Sequence, residues 1–126
     1  MTERELLQRT KQFAWRTFNL VGALPQTIQG RAVAAQLIRS GTSVAANYRA
    51  ACRARSKSEF IAELGVVEEE ADESAFWLEL IIETRLLNAI KVAPLLAKAS
   101  EIVAIIASSK KTAAKSQIAN RKSAIP

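Results

Sequence analysis

Four basic side chains near the middle of the chain have the types and the spacing that suit phosphate binding. Arg49, Arg53 and Lys57 follow one another at intervals of four residues, and Arg55 lies between the last two. In a helix this interval places side chains along one side, and the planar guanidinium of arginine matches phosphate oxygens. The spacing predicts a basic ridge where a helix ends and a turn begins, able to contact the backbone of a nucleic acid.

Ion pairing is an open alternative use of these bases, either within the protein or between subunits. If the helices on either side of Ser56 form a hairpin, three bases lie level with acids: Arg53 with Glu59, Arg49 with Glu63, and Arg39 with Glu73. Exposed pairs of this kind contribute only about 0–1 kcal/mol each. They would therefore set register and choice of partner more than stability.

Charge is sorted by segment along the chain. Nine bases and no acid lie between Glu5 and Glu59, whereas the stretch from Glu59 to Glu83 contains nine acids and no base. After Glu83 the chain has eight bases and a single acid, Glu101. The net charge of +6 is thus distributed unevenly, which predicts a polarised surface that binds polyanions, other copies of the chain, or both.

The candidate nucleic-acid-binding residues combine the central bases with those that open the C-terminal segment. They are Arg39, Arg49, Arg53, Arg55, Lys57, Lys110, Lys111 and Lys115. The C-terminal bases could equally form a solubilising tail. Because the sequence has no zinc-finger, RRM or KH signature, we expect binding led by phosphate contacts, with weak sequence preference.

The sequence offers little for catalysis or for metal binding. It contains no histidine, so it lacks the Glu-x-x-His pairs of di-iron bundles and any imidazole to activate Cys52 or a serine. Glu68, Glu69 and Glu70 are consecutive and point in different directions around a helix. No glycine-rich phosphate loop is present. We expect no catalytic residue, no metal and no cofactor, and hence a protein that is not an enzyme.

Four aromatic side chains have two possible uses. Trp15, Tyr48, Phe76 and Trp77 could stack on nucleic-acid bases. At helical spacing in a small bundle, however, such residues more often belong to the core or to a subunit interface.

Hydrophobic periodicity of three and four residues predicts four helices to position these groups. The first runs from Thr2 to Gly22, the second from about Ile28–Arg31 to Ala54, the third from Ser56 to about Leu87–Asn88, and the fourth from just before Pro94 to Lys110. Thr2 with Glu5 and Ser56 with Glu59 have the spacing of capping boxes. Gly41 inside the second helix costs roughly 1 kcal/mol relative to alanine, so we expect a neighbouring helix to approach closely there.

These elements predict an all-α, antiparallel, up-down-up-down four-helix bundle over residues 1–109. Residues 110–126 are expected to form a basic tail, with a frayed helical end followed by disorder. The first residues are charged, Cys52 is the only cysteine, and the most apolar stretch is too short to span a bilayer. We therefore expect a cytoplasmic protein with no membrane partner.

The segment around the second turn resembles a known family. Gln36, Leu37, Arg39, Ser43 and Asn47, followed by Arg55-Ser56 and by Glu59-Phe60-Ile61, are similar to the pattern of the four-helix-bundle proteins encoded by intervening sequences of bacterial large-subunit ribosomal RNA genes. The resemblance covers about residues 10–108. The chain departs from the pattern at Ala50-Ala51, where the family has Glu-Gly, and in its basic C-terminal segment, which lies outside the pattern.

The resemblance implies a four-helix bundle that assembles as a ring, with five subunits expected, and that binds RNA or another nucleic acid. Related bundles act as accessory proteins to the reverse transcriptases of diversity-generating retroelements. The resemblance therefore also implies an alternative, in which the protein is an adaptor that docks on a polymerase-type partner and binds little nucleic acid itself.

Overall fold

The computed structural model describes residues 1–123, which form four helices and no strand. The helices are α1 (Glu3–Gly22), α2 (Ile28–Ala51), α3 (Lys57–Glu83) and α4 (Ala89–Ser123). Each helix packs against the next one along the chain, and a smaller contact between α1 and α4 closes the bundle. Because the connections are short, neighbouring helices are antiparallel. The predicted all-α four-helix bundle is confirmed.

The helix starts follow from capping residues that the sequence identifies. The side-chain oxygens of Thr2 and Ser56 accept hydrogen bonds from the backbone N–H groups of Glu5 and Glu59, each at 3.1 Å. Thr27 caps α2 in the same way, accepting from Gly30 at 3.0 Å. These bonds satisfy backbone donors that have no partner within the helix, and so fix where each helix begins.

The core consists of one apolar stripe from each helix. Its fully buried side chains include Phe13 of α1, Leu37 of α2, Leu64 and Leu78 of α3, and Ile106 of α4. Four hydroxyl side chains are also buried, those of Thr10, Thr17, Ser40 and Ser74, and each bonds a backbone carbonyl of its own helix. The Ser40 and Ser74 oxygens lie 2.9 Å apart and join α2 to α3.

Gly41 allows α1 and α2 to approach closely, as its position inside a helix predicts. It lies against Thr17, so a Cβ atom added at Gly41 would lie 2.5 Å from Thr17 Cγ2 and 2.8 Å from Thr17 Oγ1. Thr17 is held in place because its hydroxyl donates to the Phe13 carbonyl oxygen at 2.8 Å. A larger residue at position 41 would push α1 away from α2.

The end of α3 corrects part of the sequence prediction. The third helix was expected to reach Leu87–Asn88, but α3 ends at Glu83, and Arg85 is exposed in a left-handed conformation with φ of 59°. The Arg85 and Leu86 N–H groups donate to the Ile82 and Ile81 carbonyls, each at 3.1 Å. This Schellman arrangement terminates the helix. The fourth helix begins at Ala89, earlier than predicted. Pro94 therefore lies in the second turn of α4.

α4 continues without interruption across residue 110 and reaches Ser123. The sequence led us to expect a frayed end from Lys111, but Ala113 is buried and Gln117 Nε2 donates to Ser58 Oγ at 2.6 Å. The apolar pattern fades here because Ala113 is the one buried residue between positions 111 and 122, while alanine and lysine favour the helix itself. The expected disorder at the extreme end, residues 124–126, lies outside the described residues.

Candidate nucleic-acid interface

The turn between α2 and α3 exposes three of the predicted phosphate-binding residues. Arg53, Arg55 and Lys57 are all exposed, and within residues 1–123 none of them forms an ion pair. The Glu59 carboxylate, which could have paired with Arg53, instead accepts a hydrogen bond from the backbone N–H of Arg55 at 3.3 Å. The three cationic groups are therefore available to an external anion.

The far end of α4 brings a second group of bases to the same end of the bundle. Because α4 is antiparallel to α3, its last turns lie beside the first turn of α3, where Gln117 meets Ser58. Lys111 and Lys115 precede this contact and are exposed, again without an ion pair in the described part of the chain. The fold thus unites two basic segments that are more than fifty residues apart in sequence.

The last helical turn of α4 adds Arg121 and Lys122, both exposed. These two bases were not among the candidate site residues, because a disordered tail was expected there. The signal that could have found them is the absence of glycine and proline from residue 111 to 122, together with the alanine, lysine, glutamine and arginine residues of that segment, which favour a continued helix.

Two other candidates are engaged inside the protein. Arg39 donates to Glu70 at 3.1 Å and also pairs with Glu73, which joins α2 to α3. Lys110 pairs with Glu68 at 2.7 Å, which joins α4 to α3. Of the three pairings predicted for the hairpin, the structure contains Arg39 with Glu73, whereas Arg49 with Glu63 and Arg53 with Glu59 are absent from the described residues.

Glu73 is the centre of the α2–α3 ion pairing. Burial raises the pKa of its carboxyl, but hydrogen bonds donated by Trp77 Nε1, at 3.2 Å, and by Arg39 outweigh burial and leave the pKa below its ordinary value. A lowered pKa means that the carboxylate stabilises the fold at pH values above its unfolded pKa. That contribution is lost as the pH falls through the folded pKa.

Replacing Trp77 with phenylalanine is expected to raise the pKa of Glu73, because the substitution removes the indole donor while keeping a smaller aromatic ring at this position. The stability that Glu73 contributes above its unfolded pKa should then be smaller, and its loss on acidification should be complete at a higher pH than in the wild type. An NMR titration of the Glu73 carboxyl carbon measures the change. Phe76→Leu, which alters the ring 4.9 Å from Trp77 without touching its N–H, is the control. An unchanged Glu73 titration in Trp77→Phe would leave Arg39 as the only stabilising partner.

Arg49 is exposed in the last turn of α2 and lines a groove between α1 and α2 that we call the α1/α2 groove. This groove has a volume of about 880 Å³ and is lined mainly by Ala14, Trp15, Phe18, Ala45, Ala46 and Arg49. The Trp15 and Phe18 side chains are 64% and 59% exposed, so neither belongs to the core. The sequence did not predict this groove, because α1 and α2 must first pack before their outer edges form one surface.

Cys52 lines one end of the α1/α2 groove and is half-buried. Burial raises the pKa of its thiol, and burial likewise raises the pKa of the neighbouring Tyr48 hydroxyl. The thiol is therefore mostly protonated at neutral pH and is a weak nucleophile. Tyr48 itself lies in the core, so it is not available to stack on a base.

The described residues contain neither a cluster of metal-ligating side chains nor a helix suited to cross a membrane. No group of three or more histidine, cysteine, aspartate or glutamate side chains in residues 1–123 could hold a metal ion. None of the helices in that range combines the length and the apolar character needed to cross a membrane.

Comparison with known proteins agrees with this architecture. Residues 2–108 match the sequence model of a family described as 23S rRNA-intervening sequence protein. A similar solved structure is that of a protein of unknown function from the S23 ribosomal protein family of Bacteroides thetaiotaomicron VPI-5482. It is 32% identical, superposes with a TM-score of 0.81, and the match covers 88% of this chain and 99% of that one. No curated protein matches. The chain belongs to the 23S rRNA-intervening sequence protein family.

Proposed function

We propose that the protein is a non-enzymatic, oligomeric scaffold that binds nucleic acid through phosphate contacts at one end of each bundle. The observation that carries the proposal is the gathering of unpaired bases there. Arg53, Arg55 and Lys57 at the α2–α3 turn lie at the same end as Lys111 and Lys115 of α4, and none has a carboxylate partner in residues 1–123. We call this surface the basic end.

The chemistry of the basic end suits a backbone more than a base sequence. Arginine side chains provide paired donors for phosphate oxygens, and lysines provide point charges. The start of α3 adds the partial positive charge of a helix N-terminus. Because no exposed aromatic residue lies among these bases, stacking on bases contributes little, and affinity should depend on charge.

Self-association would multiply this modest surface. Several basic ends presented together raise the affinity for a long polyanion without any new contact, because the second binding event becomes intramolecular. A ring of five subunits is the assembly expected from the family resemblance. We infer RNA as the preferred polymer, because the family takes its name from sequences within 23S ribosomal RNA.

The direct test is an electrophoretic mobility-shift titration with structured RNA, single-stranded DNA and duplex DNA. At about 50 mM salt, micromolar protein should shift all three, RNA most strongly, and the logarithm of the binding constant should fall linearly and steeply with the logarithm of the salt concentration. Absence of a shift under these conditions would overturn the proposal. Binding that is insensitive to salt would contradict the phosphate-led mechanism.

A nuclease-treated pull-down separates this function from the adaptor alternative. Recovery of nucleic acid in the untreated sample, but not in the nuclease-treated sample, supports the scaffold function. Recovery of one protein in both samples, with no nucleic acid in either, would favour an adaptor that docks on a polymerase-type partner.

A further inference from the structure

The α1/α2 groove is apolar and bordered by bases. Its floor consists of small side chains, including Ala14, Ala45 and Ala46, and the exposed rings of Trp15 and Phe18 stand beside it. Lys11, Arg49 and Arg53 also line it, whereas Glu3, at one end, is the only acid among the described residues of the lining. Such a groove fits a ridge that carries a bulky apolar side chain flanked by carboxylates.

The outer face of α3 is a ridge of this kind. Exposed residues of α3 that lie away from its buried stripe include Val66, Glu69, Phe76 and Glu83, which we call the α3 ridge. Phe76 is 53% exposed and Val66 37% exposed. From Glu59 to Glu83 the helix has no base, and Glu69 and Glu83 form no ion pair within residues 1–123.

The two surfaces are also comparable in length. The α1 side of the groove extends from Glu3 to Phe18, which corresponds to about 22 Å at 1.5 Å per residue. The ridge extends from Val66 to Glu83, which corresponds to about 25 Å. They lie on different helices of the bundle, so one subunit cannot bring its own ridge into its own groove.

We propose that the α1/α2 groove of one subunit binds the α3 ridge of a second copy, with Phe76 seated between Trp15 and the small residues of the floor. Lys11 and Arg49 then face the carboxylates of the ridge. This inference rests on the self-association in the proposed function and assigns the surfaces that carry it. The contact is heterologous, because each copy contributes a different surface, and it can therefore continue from copy to copy until a ring closes.

The test uses one variant for each surface. Trp15→Glu places an acid in the groove, and Phe76→Asp places an acid on the ridge, so the two altered surfaces also repel each other. Ile90→Glu, a change at an 81% exposed apolar residue outside both surfaces, is the matched control. Size-exclusion chromatography with light scattering should give the wild-type mass for the control and a monomer for each of the other two. Circular dichroism should show unchanged helicity in all three.

Mixing the two monomeric variants is the decisive measurement. The Phe76→Asp protein keeps an intact groove, and the Trp15→Glu protein keeps an intact ridge, so an equimolar mixture should form a dimer that cannot grow further. A mixture that stays monomeric would overturn the proposal. So would a variant that keeps the wild-type mass. If Phe76→Asp loses helicity, Glu69→Lys replaces it as the ridge variant.

The outcomes for the wild type separate this inference from the function on which it rests. If the wild type is a monomer, both the proposed self-association and the surface assignment are wrong. An acidic segment of another protein would then be the natural occupant of the groove. A wild-type oligomer that is unaffected by both variants would remove only the surface assignment.

Discussion

Replacing Arg53, Arg55 and Lys57 together with glutamate is expected to weaken nucleic-acid binding on the order of a hundredfold. If each side chain contributes one phosphate contact of about 1 kcal/mol, the loss is about 3 kcal/mol, which corresponds to that factor. The loss should be uniform across sequences, because phosphate contacts carry no sequence information. The measurement is a filter-binding or anisotropy titration of the triple variant at fixed salt.

The matched control reverses the charge of three basic residues at the opposite end of the bundle. Arg31 at the start of α2, Arg85 after α3 and Lys91 at the start of α4 are exposed, and their replacement by glutamate produces the same change in net charge. This control should keep most of the wild-type affinity. If both triple variants lose affinity equally, the attraction depends on net charge alone and the basic end is not a site.

The salt dependence of the triple variant gives a second readout of the same residues. Loss of three contacts to a single strand should reduce the slope of the log–log plot by about 2. Arg53 also lines the α1/α2 groove, so the oligomeric mass is compared in the double variant of Arg55 and Lys57, which do not line it and whose replacement should leave the wild-type mass unchanged. A variant that binds weakly but retains the wild-type slope would show that the three side chains do not contact phosphates.

Gly41→Ala is expected to destabilise the fold by about 1–3 kcal/mol, even though alanine is the better helix former. The new methyl group would lie within 3 Å of three atoms of Thr17, whose hydroxyl is held by the Phe13 carbonyl. Forcing a group into a packed contact costs about 1–3 kcal/mol, which exceeds the gain in helix propensity of about 1 kcal/mol. Urea unfolding at constant protein concentration measures the difference.

Gly65→Ala is the matched control for this prediction, because it is the same substitution inside α3 with no atom within 4 Å of the added Cβ. It should stabilise the fold by up to about 1 kcal/mol. Combining Gly41→Ala with Thr17→Ala should recover part of the loss by removing the two closest atoms. Stabilisation by Gly41→Ala alone would mean that α1 and α2 are not packed tightly at this point.

Local signals in the sequence were sufficient for the architecture. Thr2 and Ser56 identified helix starts, Gly41 identified a close contact, and the hairpin spacing identified one of the ion pairs that join α2 to α3, Arg39 with Glu73. Each of these features is determined by residues a few positions apart or by a simple hairpin. Such features can be derived from periodicity and capping rules alone.

The features that sequence reasoning missed depend on several helices at once. The left-handed conformation of Arg85 is unusual for a residue with a side chain, so no local rule indicated that α3 ends there. The contact of Gln117 with Ser58, which places the far end of α4 beside the start of α3, forms only in the assembled bundle. The α1/α2 groove likewise forms only when two helices pack. The sequence alone therefore could not show that Trp15 is exposed and outside the core.

The position of Cys52 at one end of the α1/α2 groove has a practical consequence, because it is the only cysteine of the chain. A fluorophore or spin label attached to its sulfur would sit at a single known position without any engineered mutation. Since the thiol is mostly protonated at neutral pH, coupling would be efficient only in mildly alkaline buffer. The native protein thus already offers an attachment point for a label that reports on any molecule bound in the groove.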